Sequence, residues 1–266
     1  MVLPKERRPA VRVSPHLLTI YGPQKSGKSF WTTRLPNALT LDFEGGTETH
    51  EAMSVQIKSL SDLTNVANAL MEEKKKDFTY DFLIIDTLDR FIELLEIRLV
   101  REFNARQDFL QEQNPDKIYQ KVQSISEIEY GKGYDLVRLE VRKWIKFFKS
   151  VSPHVIFIAH LKRTLIGETT VMVDETSLDL TGKLRSMILS DSDATALVKQ
   201  AGPATHLNFV AKAGSSAGSR LPYLHGKKFF LEPGNPECGW LQIYPDYDKQ
   251  AILELHPEKF VFHEED

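Results

Sequence analysis

Apolar residues along this chain fall into short continuous runs separated by stretches where they recur at helical spacing. That alternation predicts buried strands joined by amphipathic helices. The first run, Leu17-Leu18-Thr19-Ile20-Tyr21, passes through a glycine-containing turn into a helix over Phe30 to Leu35, which Pro36 ends. Ala38 to Gly46 reads as a second strand that runs out into acids and glycines. A short strand around Val55 to Ile57 leads into Ser59-Leu60-Ser61-Asp62, a capping box, and Leu60, Leu63, Val66, Ala67 and Leu70 then mark one face of a helix with a solvated end at Glu72 to Lys76. Tyr80 to Asp86 is a continuous apolar run closed by an aspartate, the pattern of a buried parallel strand that delivers a carboxylate to its C-terminal edge. A helix is expected from about Leu88 to Phe103. The polar stretch 104–130, with Pro115, then reads as an ordered insertion or a mobile loop. Val137, Val141, Trp144 and Phe148 recur on one helical face ahead of a strand over Val155 to Ala159 that ends in His160.

From Leu161 to about Ser190 the pattern weakens, with a hairpin signal over Thr170 to Asp174 and a turn at Thr181-Gly182. Strands are expected at Ala194 to Val198 and His206 to Ala211, followed by a loose Gly214 to Ser219 and a hairpin edge from Lys227 through Tyr244. The resulting fold class is α/β, a mainly parallel sheet flanked by helices with antiparallel strands toward the C-terminus and ligands at the carboxyl ends of the strands. Three parts follow: a Pro-, Lys- and Arg-rich arm over 1–15, a core over 16–245 and a polar tail over 246–266.

Composition narrows the function classes. With 266 residues, 41% hydrophobic and 27% charged, the chain can bury a large core. A formal net charge of −3 supplies no overall basic field, so nucleic-acid contact must come from a local patch. The single cysteine, Cys238, forms no internal disulfide. The charged start and the lack of a long apolar run argue against secretion or a membrane, so a cytoplasmic setting is expected.

The chemistry concentrates at Gly22 to Ser29, which has the phosphate-binding spacing GxxxxGK[ST] between a strand and a helix. The glycines let backbone N–H groups turn inward toward phosphate oxygens, Lys28 reaches the β and γ phosphates, and the Ser29 hydroxyl meets Mg²⁺. Gly22, Pro23, Gln24, Lys25, Ser26, Gly27, Lys28, Ser29 and Phe30 are thus the expected ATP-binding stretch, with Ser29 and Asp86 as Mg²⁺ ligands. Many AAA+ ATPases carry a glutamate directly after the Walker B aspartate. Here that position is Thr87, so the water-orienting acid is sought at Glu44, at the end of the strand after the loop. His160, at the end of another core strand, is placed to sense the γ-phosphate, and the following Lys162 and Arg163 read as the start of a loop that contacts DNA phosphates.

Together these motifs resemble the RecA/KaiC-like ATPase core. More closely, Lys25 to Ser29, Asp42-Phe43-Glu44-Gly45, Ile85-Asp86-Thr87, Tyr130-Gly131-Lys132-Gly133-Tyr134 and Ala159 to Lys162 resemble phage-encoded RecA-like proteins of the Sak type, proposed single-strand annealing recombinases. The resemblance implies a RecA-like P-loop ATPase that acts on single-stranded DNA as a homo-oligomer, ring or filament, in the company of a single-strand binding protein. It also implies a basic residue donated to the ATP site by a neighbouring subunit, for which Lys212 and Arg220 are the candidates. A replication- or helicase-associated ATPase of the same fold and a nucleotide-switched binding module with little turnover are the alternative readings.

Overall fold

The structure is a computed structural model. It describes residues 13–49, 51–165, 171–201, 204–212, 215–231 and 239–247. Most of the expected arm over 1–15, nearly all of the expected tail over 246–266, and Cys238 lie outside these residues.

The strands are β1 (Leu17–Gly22), β2 (Ala38–Asp42), β3 (Met53–Gln56), β4 (Phe82–Asp86), β5 (His154–Leu165), β6 (Val171–Leu178), β7 (Ala194–Ala201), β8 (Ala204–Asn208), β9 (Gly218–Ser219) and β10 (Lys228–Leu231). They join in the order β10-β8-β7-β1-β5-β4-β2-β3. From β7 to β3 every neighbouring pair is parallel, and β8 and β10 add antiparallel strands. This is the expected α/β class, a mainly parallel sheet flanked by helices with antiparallel strands toward the C-terminus. Strand β5 lies between the P-loop strand β1 and the Asp86 strand β4, so Gly22 and Asp86 reach the same sheet edge from strands that are not neighbours.

The continuous apolar runs are explained by cover on both faces, since successive side chains point to opposite sides of a strand. Leu17 and Tyr21 join Leu83, Ile85 and Phe157 on one face. There they meet α2 (Leu60–Lys75), α3 (Leu88–Gln113), α4 (Lys132–Val151) and α5 (Gly182–Asp191). Leu18 and Ile20 join Ile84, Ile156 and Ile158 on the other face, under Trp31 of α1 (Lys28–Thr32) and Trp240 of α6 (Gly239–Ile243). Each fully buried side chain of this size contributes about 1.5–3 kcal/mol. The capping box also forms: the Ser59 hydroxyl accepts from the Asp62 N–H at 3.2 Å, and the Asp62 carboxylate accepts from the Lys58 N–H at 3.1 Å.

Three expectations are corrected, and one helix had no expectation to correct. Helix α3 runs past Phe103 to Gln113, because its Arg-, Gln- and Glu-rich second half has good helix propensity, and Pro115 follows the cap residue Asn114. The chain after it is tied back by Asn104, which exchanges bonds of 2.9 and 2.8 Å with the backbone of Val122. Strand β5 does not stop at His160. It continues to Leu165 and pairs antiparallel with β6, so Lys162 and Arg163 sit in a strand instead of opening a loop. Helix α5 lacks a side-chain cap and buries only Leu184, Met187 and Ile188, which left little signal to read. Trp240 to Tyr244 belong to a helical turn, not a hairpin strand; the Trp240 indole donates to the Trp31 carbonyl at 3.1 Å, and β10 pairs with β8 instead.

Candidate nucleotide site

The turn after β1 can close only around glycines. A side chain at Gly22 would put its Cβ 2.6 Å from the Val198 carbonyl oxygen, and Gly27 takes φ +83° with Thr205 Oγ1 only 3.0 Å from where a Cβ would stand. Lys28 folds back into this turn, 7% exposed, and its Nζ donates to the carbonyls of Gly22 at 3.1 Å and Pro23 at 2.6 Å. Burial pulls the Lys28 ammonium down to about 8, while Asp86, Glu44 and Asp89 act to hold its proton.

Ser29 and Asp86 lie close together, the Ser29 hydroxyl favouring the charged form of the Asp86 carboxylate. Burial pushes Asp86 up to about 6; the Asp42 and Glu44 carboxylates add to the rise, and the Ser29 hydroxyl and Lys28 oppose it. A hydroxyl beside a buried carboxylate, with two more acids near, is an oxygen-rich corner suited to a Mg²⁺ ion. The cradle where no Cβ fits, the buried lysine and this pair fit a Mg-nucleotide.

Glu44 is positioned from β2. The Asp42 carboxylate, in register with Asp86 on β4, accepts from the N–H groups of Glu44 (2.9 Å), Gly45 (2.7 Å) and Thr47 (2.9 Å) and from the Thr47 hydroxyl (2.6 Å), so the turn carrying Glu44 hangs on one buried acid. Burial raises the Asp42 carboxyl, but these donors outweigh it and hold it below the usual carboxylate range. The Thr87 hydroxyl donates to Glu44 Oε1 at 3.1 Å, and Arg90 Nε lies 3.8 Å from the same oxygen. His160 Nδ1 stands 2.8 Å from Asp89 Oδ2 and 4.0 Å from Glu44 Oε1. The bond to Asp89 raises the His160 pKa against the opposing pull of burial. Ligand atoms of Glu44, Asp89 and His160 lie within 4.8 Å of one another, a spacing the His160–Asp89 bond largely accounts for.

Glu44, Asp89, Arg90 and His160 open with Gly22 to Ser26 on a cleft of about 690 Å³, while Lys28, Ser29 and Asp86 do not line it. Residues 14–221 match the family model described as an AAA domain. The chain belongs to the AAA domain family. No curated protein matches this AAA domain. Solved structures do, among them the crystal structure of the RadB recombinase, at 13% identity and a TM-score of 0.41, covering 83% of this chain and 88% of that chain.

Within this AAA domain protein the other expected site residues scatter. Phe30 does not line the cleft; its ring meets Trp31 edge-on at 5.2 Å and lies under the Arg34 guanidinium. Lys162 is exposed on β5 beyond His160, and the Arg163 side chain lies outside the described residues. Arg220 follows β9, which pairs with Ala194 and Thr195 at the amino-terminal edge of the sheet. Ala194 is in register with Leu18, four residues short of Gly22, so the two edges are about 13 Å apart along the strand. Lys212 lies between β8 and β9, its carbonyl accepting from the Ser215 N–H at 2.9 Å, and does not line the cleft. Sequence reasoning missed Asp89, whose signal was its place three residues after Asp86, one helical turn on. It also missed Thr87 and Arg90 as partners of Glu44.

Proposed function

We propose that the protein is a Mg²⁺-dependent ATPase that assembles as a homo-oligomer on single-stranded DNA and promotes annealing or strand exchange in phage recombination. The observation that carries the ATPase reading is Glu44, held by the Thr87 hydroxyl at 3.1 Å and opening on the same cleft as the P-loop. Lys28 exchanges its loop carbonyls for phosphate oxygens when nucleotide enters. Ser29 and Asp86 would hold a Mg²⁺ ion, which would neutralise phosphate charge. Glu44 orients the attacking water and takes its proton, and His160 donates toward the phosphate that leaves.

The DNA part rests on the Sak-type resemblance and is supported by the position of the β5–β6 arm. His160 pairs with Gly22 in the sheet, and from Leu161 onward the same strand pairs with β6, so nucleotide contact and the exposed Lys162 share one strand. Tyr130, 90% exposed, offers a ring on which a base can stack. Lys212 and Arg220, neither of which lines the cleft, would serve a neighbour's site.

The test is steady-state ATP turnover with and without single-stranded DNA, for wild type and Glu44→Gln. Turnover should require Mg²⁺ and rise with DNA, and the variant should bind nucleotide but hydrolyse it slowly. Binding without turnover in wild type would make the protein a nucleotide-switched module; turnover indifferent to DNA would remove the recombination reading.

A further inference from the structure

We propose that Asp89 is a positioning residue for nucleotide turnover, fixing the His160 ring so that Nδ1 is held against α3 and Nε2 is presented to the cleft. The inference rests on the ATPase reading above. Three observations carry it. The Nδ1 to Oδ2 distance is 2.8 Å, and His160 also lines the nucleotide cleft, so with one nitrogen committed to the helix the other is the ring's remaining polar atom. Asp89 stands in the first turn of α3, directly after the Asp86-Thr87 segment that meets Ser29 and Glu44, so one short stretch sets the metal-site acid, the anchor of Glu44 and the orientation of His160. Finally, His160 lies at the point where β5 leaves the parallel sheet for the β6 hairpin, and its carbonyl accepts from the Asp179 N–H at 3.0 Å. A ring held from α3 is thereby held relative to both the P-loop edge and the arm.

A purely structural reading would make the pair a staple of α3 to β5, so the experiment needs readouts that a staple does not move. Asp89→Asn is nearly isosteric and loses only the charge and one acceptor. Its kcat should fall about tenfold while KM for ATP stays within about twofold, the size of effect usual for residues that orient a working group. In a His160→Gln background the same substitution should have no further effect on kcat. Nitrogen NMR of isotope-labelled histidine, with the His160 signal assigned by its loss in His160→Gln, should show Nδ1 protonated in wild type and a shift toward the Nε2–H tautomer in Asp89→Asn.

Wild-type kcat in Asp89→Asn, a full additional loss in the double variant, or a wild-type His160 signal with Nδ1 unprotonated would each overturn the inference. The last measurement needs no folded variant of Asp89. If wild type proves to have no ATPase activity, the functional reading fails on that result, and the histidine signal still decides whether Asp89 sets the ring.

Discussion

The hydroxyl of Thr87 donates a 3.1 Å hydrogen bond to Oε1 of Glu44, across the junction between β4 and β2. The position after Asp86 therefore supplies an anchor to a glutamate on the neighbouring strand. Thr87→Val should lower kcat roughly tenfold with nucleotide affinity nearly unchanged, since about 1.4 kcal/mol separates a held from a loose carboxylate. Thr87→Ser should retain most activity. Glu44→Gln should lose about a hundredfold or more. Single-turnover and binding measurements separate the two quantities, and equal kcat in Thr87→Val and wild type would remove the anchor role.

Lys28 is buried and held by loop carbonyls, and both facts have consequences. Lys28→Ala should weaken nucleotide binding about a hundredfold through loss of charge-assisted contacts to phosphate. It should also change the pH dependence of stability. The unfolded ammonium keeps its proton up to 10.5 and the folded one releases it near 8, so between those values the unfolded state binds more protons and stability rises with pH. Urea midpoints should climb across that window in wild type, and the climb should be smaller in Lys28→Ala.

Asp42 holds the Glu44 turn through five hydrogen bonds. In Asp42→Asn an amide donor must face the Thr47 donors, at a cost of about 1–3 kcal/mol. Because the folded carboxyl titrates below its ordinary 3.8, this stabilisation is complete above that value and is lost as pH falls through the lower folded one. The difference between wild type and variant in urea melts should be flat near neutrality and close only in strong acid.

Arg220 sits at the sheet edge opposite the P-loop, and neither it nor Lys212 lines the cleft, so a role in catalysis would be exercised on a neighbouring subunit. The double alanine variant should bind nucleotide normally and turn it over slowly, and wild-type turnover per subunit should rise with protein concentration. Mixing it with Lys28→Ala should restore activity, because each subunit supplies what the other lacks. No rescue at any mixing ratio would assign the whole site to one chain.

Gly133 tests the entry to α4. A Cβ there would stand 2.2 Å from the Ile125 carbonyl oxygen, so Gly133→Ala must displace backbone. A cost of about 1–3 kcal/mol is expected, seen as a Tm lower by several degrees. Gly131, with open space where a Cβ would point, instead requires glycine for its φ of +71°.

The strands and the loop were legible because their signals are local. A run such as Phe82 to Ile85, buried on both faces, must be continuously apolar, and a phosphate turn needs glycines at fixed spacing whatever surrounds it. The second half of α3 was not legible: without an apolar stripe a solvated helix reads as a polar loop. Neither was β5 beyond His160, which only its pairing with β6 makes a strand at Lys162.

For the site the division follows the same physics. Gly22 to Ser29, Asp86, Glu44 and His160 could be named from the chain because each ends or follows a strand, and strand ends in a parallel sheet converge on one edge. Which of them touch depended on the strand order. Placing β5 between β1 and β4 brings His160 beside Gly22 and, through Asp89, against α3, while the register of β2 with β4 sets Asp42 beside Asp86 and Thr87 under Glu44. The sequence alone determined the elements and the chemical groups they carry, because propensity, burial pattern and turn geometry act over a few neighbouring residues. Only the tertiary structure decided that Asp89 holds His160 and that Arg220 follows a strand at the sheet edge opposite the P-loop, because strand order and register are set by contacts between residues far apart in the chain.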